Sequence, residues 1–154
     1  MPINRWASLL TNKTLNMKIA IINGPNLNLL GNRENEIYGS QSFESYFQQM
    51  QLKYDHVEFS YFQSNVEGEI INELQKVGNE CHGIILNPGG YTHTSVAIGD
   101  TLAAISAKVI EVHISNIFER EEFRKLSYVS AKAKGVISGL GLRGYELALQ
   151  YFIE

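Results

Sequence analysis

The sequence predicts one α/β domain, a five-stranded parallel sheet wound with helices on both faces. Three observations predict it. Ile19–Ile22, Gly83–Leu86 and Val109–Ile114, together with the alternating, β-former-rich Val57–Phe62, read as strands, and several stop abruptly at turn residues. Stretches with apolar residues at helical spacing lie between them. The chain has 154 residues, enough for one domain with a real core. Strands alternating with helices imply a parallel sheet covered on both sides, with right-handed crossovers. The expectation is a flavodoxin-like doubly wound fold over residues 17–154.

The elements follow in order. Ile19–Ile22 is apolar throughout, as a strand buried on both faces should be. It breaks at Asn23-Gly24-Pro25-Asn26. The next segment, to Gly39, is neither a clean helix nor a clean strand and carries Arg33 and Tyr38. Such a segment after a buried strand reads as an active-site lid, against the plainer alternative of a surface loop. Ser42 is a good N-cap for a helix carrying Phe43, Tyr46, Phe47 and Met50, ending near Tyr54-Asp55. After the second strand, Ser64-Asn65 opens a helix with Ile70, Ile71, Leu74 and Val77 on one face, ended by Gly78-Asn79. The third strand stops at Asn87-Pro88-Gly89-Gly90, and a helix is expected from Ser95 to Ser106. The fourth strand ends at His113-Ile114-Ser115-Asn116. A short helix around Tyr128–Ala133, a fifth strand at Gly135–Ile137 and a last helix at Gly144–Phe152 complete the chain.

Composition excludes several classes of function. Hydrophobic residues make up 44% and charged residues 19%, as in ordinary globular proteins. A net charge of −3 without a basic run argues against a nucleic-acid surface. No apolar run approaches the ~20 residues of a membrane span. The single cysteine, Cys81, allows no internal disulfide and no cysteine-based zinc site, which fits a reducing, cytoplasmic setting. Residues 1–16 are polar and irregular apart from Trp6, Leu9 and Leu10, and lack a secretory h-region. They read as a mobile extension outside the fold, or as a segment that docks on a neighbouring subunit through Trp6.

In doubly wound sheets, ligands bind beyond the carboxyl ends of the strands. Polar residues gather there in this sequence. Asn26, Arg33 and Tyr38 follow the first strand; Asn87, Gly89, Gly90 and His93 follow the third; His113, Ser115 and Arg124 follow the fourth. The two glycines permit positive φ and close backbone approach. The Asn87 amide can both donate and accept. Glu111 precedes His113 by two residues, so a carboxylate can orient the imidazole from the same side of the strand. Arg124 can grip a carboxylate in a bidentate fork. His56 and His82 precede strands, at the wrong end of the sheet for the site. The glycines match neither a dinucleotide fingerprint nor a P-loop. A zinc reading built on His93, His113, Asp100 or Glu111 lacks a close-spaced ligand pair.

Three runs then stand out together. NGPNLNLLGNRENEIYG, NPGGYTHTS with Asp100 following, and EVHISN with REEFR resemble, in order, the signatures of type II 3-dehydroquinate dehydratases. The run from Gly139 to Leu149 matches a further family pattern, GxGxxGYxxAL, and the resemblance covers Lys18 to Phe152. It implies a flavodoxin-like fold and reversible dehydration of 3-dehydroquinate to 3-dehydroshikimate in the shikimate or quinate pathway. It also implies no metal, no organic cofactor, and a dodecamer built as a tetramer of trimers. By the same resemblance, Tyr38 is the base on the C2 proton, Arg33 the lid arginine, and Asn26 the holder of a water that stabilises the enolate. His113 is the acid for the departing C1 hydroxyl, and Glu111 its partner. Asn87, His93, Ser115, the Ile114 amide and Arg124 are the substrate-binding set, with Gly89 and Gly90 supporting. Asp100 reaches the lid arginine of an adjacent subunit. Phe118 stands where many members have histidine, and Lys125-Leu126 replaces a frequent His-His; an effect on packing or affinity is expected.

The residue types suit this chemistry. A phenol of pKa near 10 needs nearby positive charge to act as a base at neutral pH, and Arg33 supplies it. Two other functions compete. A catalytically weak homologue that senses quinate-like acids would use the same clamp, but binding does not need a base and an acid together. A flavin-binding electron carrier rests on fold analogy alone.

Overall fold

In the computed structural model, residues 16–31 and 40–154 are described. Arg33 and Tyr38, expected on a lid, and the first fifteen residues lie outside the described residues.

The sheet has five parallel strands, β1 (Met17–Asn23), β2 (Val57–Gln63), β3 (Gly83–Asn87), β4 (Lys108–His113) and β5 (Gly135–Ser138), in the order β2-β1-β3-β4-β5. This is a flavodoxin-like α/β fold. The middle strands are apolar because helices cover both faces: Ile19, Ile21, Ile22, Ile84, Ile85 and Leu86 are fully buried. Burying each such side chain contributes about 1.5–3 kcal/mol. Helices α1 (Phe43–Lys53) and α4 (Arg143–Ile153) cover one face, where Ile19, Ile21, Ile85, Ile110 and Val112 meet Phe43, Met50, Ala148 and Leu149. Helices α2 (Glu67–Val77) and α3 (Val96–Ala104) cover the other, where Ala20, Ile22, Ile84, Leu86 and Val109 meet Ile70, Leu74, Ile98 and Leu102. Alternation along each strand therefore sends odd residues of β1, β3 and even residues of β4 to the α1–α4 face. None of these helices is long and apolar enough to cross a membrane.

Several expected boundaries shift for local reasons. Ser42 caps α1 as expected, its hydroxyl accepting from the Ser45 N–H at 3.2 Å. Helix α2 begins at Glu67 because Ser64 Oγ accepts from the Val66 N–H at 2.9 Å in a turn, while also donating to Glu69. Gly78 ends α2 for a different reason than a left-handed cap. Its φ is −63°, and a Cβ there would lie 2.5 Å from Leu74 O and 2.6 Å from Ile105. The helix expected from Ser95 to Ser106 spans Val96–Ala104, and β4 stops one residue earlier than expected, at His113. The expected helix at Tyr128–Ala133 is absent. Ser127 Oγ takes the Val129 and Ser130 N–H groups, so the segment makes only a turn closed by Ala133 N–H to Val129 O at 3.1 Å. Residues 117–125 form two short 3-10 turns, Ile117–Glu119 and Glu122–Lys125.

Candidate active site

The turns after β1 and β3 interlock. Gly24 N–H donates to Asn87 O at 2.7 Å, and a Cβ on Gly24 would lie 2.5 Å from Pro88 O. Gly89, at φ +59°, sits 3.2 Å from Pro25 O by the same test. Only glycine fits both places. Gly90 shows neither feature, since nothing lies within 4 Å of a Cβ added there. Its backbone faces open space in the cleft.

Above these turns lies a cleft of about 210 Å³, at the carboxyl ends of β1, β3 and β4. It brings together most of the residues singled out from the sequence: Asn26, Asn87, Gly89, Gly90, His93, His113, Ile114, Ser115 and Arg124. Asn26 adopts φ 69°, the one non-glycine left-handed residue among those described, with its N–H held by Asn65 Oδ1 at 3.0 Å. Asp100 lies exposed on α3, outside the cleft lining.

Glu111 and His113 share a face of β4 and are buried there. His113 Nε2 lies 2.7 Å from Glu111 Oε1. An ionised carboxylate only accepts, so Nε2 carries the proton and Nδ1 is left to exchange one with a ligand. Sequence reasoning missed what holds the carboxylate. Thr92 Oγ1 donates to Oε1 at 3.0 Å, and Ser130 Oγ donates to Oε2 in a short bond. Burial alone pushes the Glu111 carboxyl up. Hydrogen bonding and charge from His113, then the Ser130 and Thr92 hydroxyls, outweigh it and hold the group below the ordinary carboxylate range.

His93 is set up differently. Its Nδ1 lies 2.6 Å from Leu126 O, and a carbonyl only accepts, so the proton is on Nδ1. Burial, opposed by that bond and aided by the nearby His113 and Arg124 charges, pushes its pKa down. The ring is neutral at pH 7 and offers Nε2 as an acceptor. Because Leu126 contributes its carbonyl, its exposed side chain is not used here. Phe118 is likewise exposed.

Among the described residues, two arginines line the cleft. Arg124 Nε donates to Glu121 at 2.6 Å, and its guanidinium lies 5.0 Å from the centre of the Phe123 ring. That ion pair holds the Glu121 carboxyl below its ordinary range. The expected fork is thus tied back along its Nε edge. Arg120, the first residue of REEFR and not among the expected site residues, also lines the cleft and donates from Nη1 to Ser115 Oγ at 3.3 Å. The two arginines of REEFR stand four apart, and that spacing was the available signal.

Asn87 is less free than its amide chemistry suggested. Its Oδ1 accepts from the Gly89 N–H at 3.1 Å, and its Nδ2 donates to Tyr145 Oη at 2.9 Å. What remains for a ligand is its second N–H.

A polar cleft with paired arginines and a carboxylate-backed histidine, at the strand ends of a flavodoxin-like sheet, defines a site for a small anionic molecule. Comparison with known proteins narrows the class. A family model described as dehydroquinase class II matches residues 17–153. The 3-dehydroquinate dehydratase of Fusobacterium nucleatum is 52% identical over 143 residues, covering 90% of this chain and 97% of that protein. That of Aliarcobacter butzleri is 52% identical over 135 residues, covering 86% and 82%. The crystal structure of type II dehydroquinase from Butyrivibrio crossotus superposes with a TM-score of 0.85 at 48% identity, covering 90% of this chain and 99% of that one. The chain belongs to the class II dehydroquinase family.

Proposed function

We propose that this protein is a hydro-lyase that dehydrates 3-dehydroquinate reversibly to 3-dehydroshikimate, with residues 17–154 as its single catalytic domain. The observation that carries the reading is the buried Glu111–His113 pair opening onto a cleft lined by Arg120 and Arg124. Binding alone needs the arginines; it does not need an imidazole with a fixed proton and a free nitrogen.

The steps follow from the residue types. The arginines hold the substrate carboxylate, and neutral His93 accepts from a substrate hydroxyl. Tyr38, as phenolate beside Arg33, removes the C2 proton, and the electron pair moves onto the C3 oxygen as an enolate. Asn26, through a bound water, stabilises that oxyanion. The enolate collapses to form the C1–C2 double bond as the C1–O bond breaks. For this step His113 carries protons on both ring nitrogens: it gives the Nδ1 proton to the departing hydroxyl, which leaves as water, and keeps the Nε2 proton facing Glu111, which stabilises the imidazolium before transfer. Ser115 and the Ile114 N–H complete the binding set. No metal enters these steps. The assembly is a dodecamer in which Asp100, exposed on α3, reaches the lid arginine of a neighbouring copy.

The product is a conjugated enone, so its formation raises ultraviolet absorbance. Wild-type protein with chelator present should turn over 3-dehydroquinate, and Tyr38→Phe should lose nearly all turnover while still binding substrate-like acids. No turnover by folded wild type would sink the reading. Turnover that chelator abolishes would replace this mechanism with a metal-dependent one.

A further inference from the structure

Tyr145 opens α4 and is fully buried, with its ring 4.9 Å from that of Phe43. It lies there because Gly144 brings the helix hard against the sheet: a Cβ on Gly144 would lie 3.2 Å from Val112 and 3.4 Å from Ile137. Its hydroxyl reaches the carboxyl ends of β1 and β3, where Asn23 and Asn87 are partners in register. Tyr145 Oη donates to Asn23 Oδ1 at 2.7 Å and accepts from Asn87 Nδ2 at 2.9 Å. Asn23 is fully buried and its own Nδ2 reaches Tyr61 Oη at 3.5 Å.

A hydroxyl has one proton, and here Asn23 takes it. Asn87 must therefore turn its NH2 towards Tyr145, in agreement with its oxygen facing the Gly89 N–H. Phenylalanine would fill the same space and remove this instruction. Burial pushes the Tyr61 phenol up to about 12 and the Tyr145 phenol upward as well, so both stay protonated at neutral pH, Tyr145 donating to Asn23 and Tyr61 accepting from it.

We propose that Tyr145 is a positioning residue for substrate binding: by bridging Asn23 and Asn87 it fixes the Asn87 amide so that its second N–H is presented to a substrate oxygen in the cleft. Tyr145 touches no substrate and acts only through Asn87. The inference rests on the dehydratase reading for the identity of the substrate.

The test compares wild type, Tyr145→Phe, Asn87→Ala and the double variant, with KM and kcat for 3-dehydroquinate and a thermal melt for each. Loss of one neutral hydrogen bond's guidance should raise KM about tenfold in Tyr145→Phe, with kcat changed by less than about twofold. In the Asn87→Ala background the same substitution should change KM by less than about twofold. An unchanged KM, a loss confined to kcat, or the same KM penalty in both backgrounds overturns the proposal. If Tyr145→Phe fails to fold, Asn23→Ala decides, since it removes the acceptor that orients the hydroxyl. There a rise of about threefold is expected, and an unchanged KM overturns. If the wild type shows no turnover, the dehydratase reading alone has failed. Calorimetric affinity for quinate then replaces KM in the same comparison, with the same outcomes deciding.

Discussion

Gly99→Ala tests how the site is supported from below. Gly99 lies on the buried side of α3, and a Cβ added there would sit 2.3 Å from Tyr128 O, against about 3.4 Å where ordinary contact begins. The obstacle is backbone, so the chain around Tyr128 has to retreat by about an ångström, in a core as dense as a crystal. That chain is tied to the site at both ends of the contact. Tyr128 N–H donates to Thr92 O at 2.9 Å, and Ser130 donates to Glu111. Overpacking of this kind costs about 1–3 kcal/mol. For a domain of this size the melting temperature should fall by about 3–10 °C. The retreat also draws Ser130 away from Glu111, and a hydrogen bond to a charged group contributes about 1.5–3 kcal/mol. Turnover should fall about tenfold, as the histidine's partner loses its seat. Differential scanning fluorimetry and steady-state kinetics read the two effects. Gly68→Ala is the control, because nothing lies within 4 Å of its added Cβ. Gly68 is the second residue of α2, so that substitution should leave the melting temperature unchanged or slightly raised. A Gly99→Ala protein that melts and turns over like wild type would refute the coupling between α3 and the acid pair.

Other outcomes follow from the same structure. Ser130→Ala should reproduce the catalytic loss of Gly99→Ala with a smaller loss of melting temperature; a normal kcat would remove Ser130 from the support of Glu111. His113→Ala should lower kcat by about 10²–10⁴ while changing KM less, and a loss confined to KM would exclude the acid role. Glu146 is buried on α4 and accepts from Lys53 and from Tyr54 Oη, bonds that hold its carboxyl below the ordinary 4.5. A depressed carboxylate stabilises the fold above its unfolded pKa and loses that contribution as pH falls through the folded one. Glu146→Gln should therefore melt below wild type at pH 7, with the gap closing under acid; a gap that persists at acid pH would count against the ion pair.

How far the sequence spoke depended on how local each feature is. Glu111 and His113 were legible because strand alternation alone puts them on one side. The strand ends were legible because Asn-Gly and Pro-Gly runs cannot continue a strand. Thr92, Ser127, Ser130 and Arg120 were not, since they come from turns whose placement depends on contacts such as Gly99 against Tyr128. Tyr145 carried no role beyond its place in the Gly139–Leu149 pattern, because its hydroxyl partner Asn23 lies 122 positions away in the chain. The helix expected at Tyr128–Ala133 failed because Ser127 offers the backbone a competing hydrogen bond.

Strand alternation has one more consequence. On β4, Glu111 and His113 point to the face covered by α2 and α3, whereas Asn23 and Asn87 point to the face covered by α1 and α4. The histidine–carboxylate pair and the Tyr145-held asparagines thus reach the rim of the sheet from opposite faces. The strands between act as an insulating wall, since among the described residues neither hydrogen-bonded network shares a partner with the other. Substitutions in the two should therefore add without interaction. Evolution can retune the asparagine network through one helical layer and the histidine–carboxylate pair through the other, each without disturbing what the opposite layer has already settled.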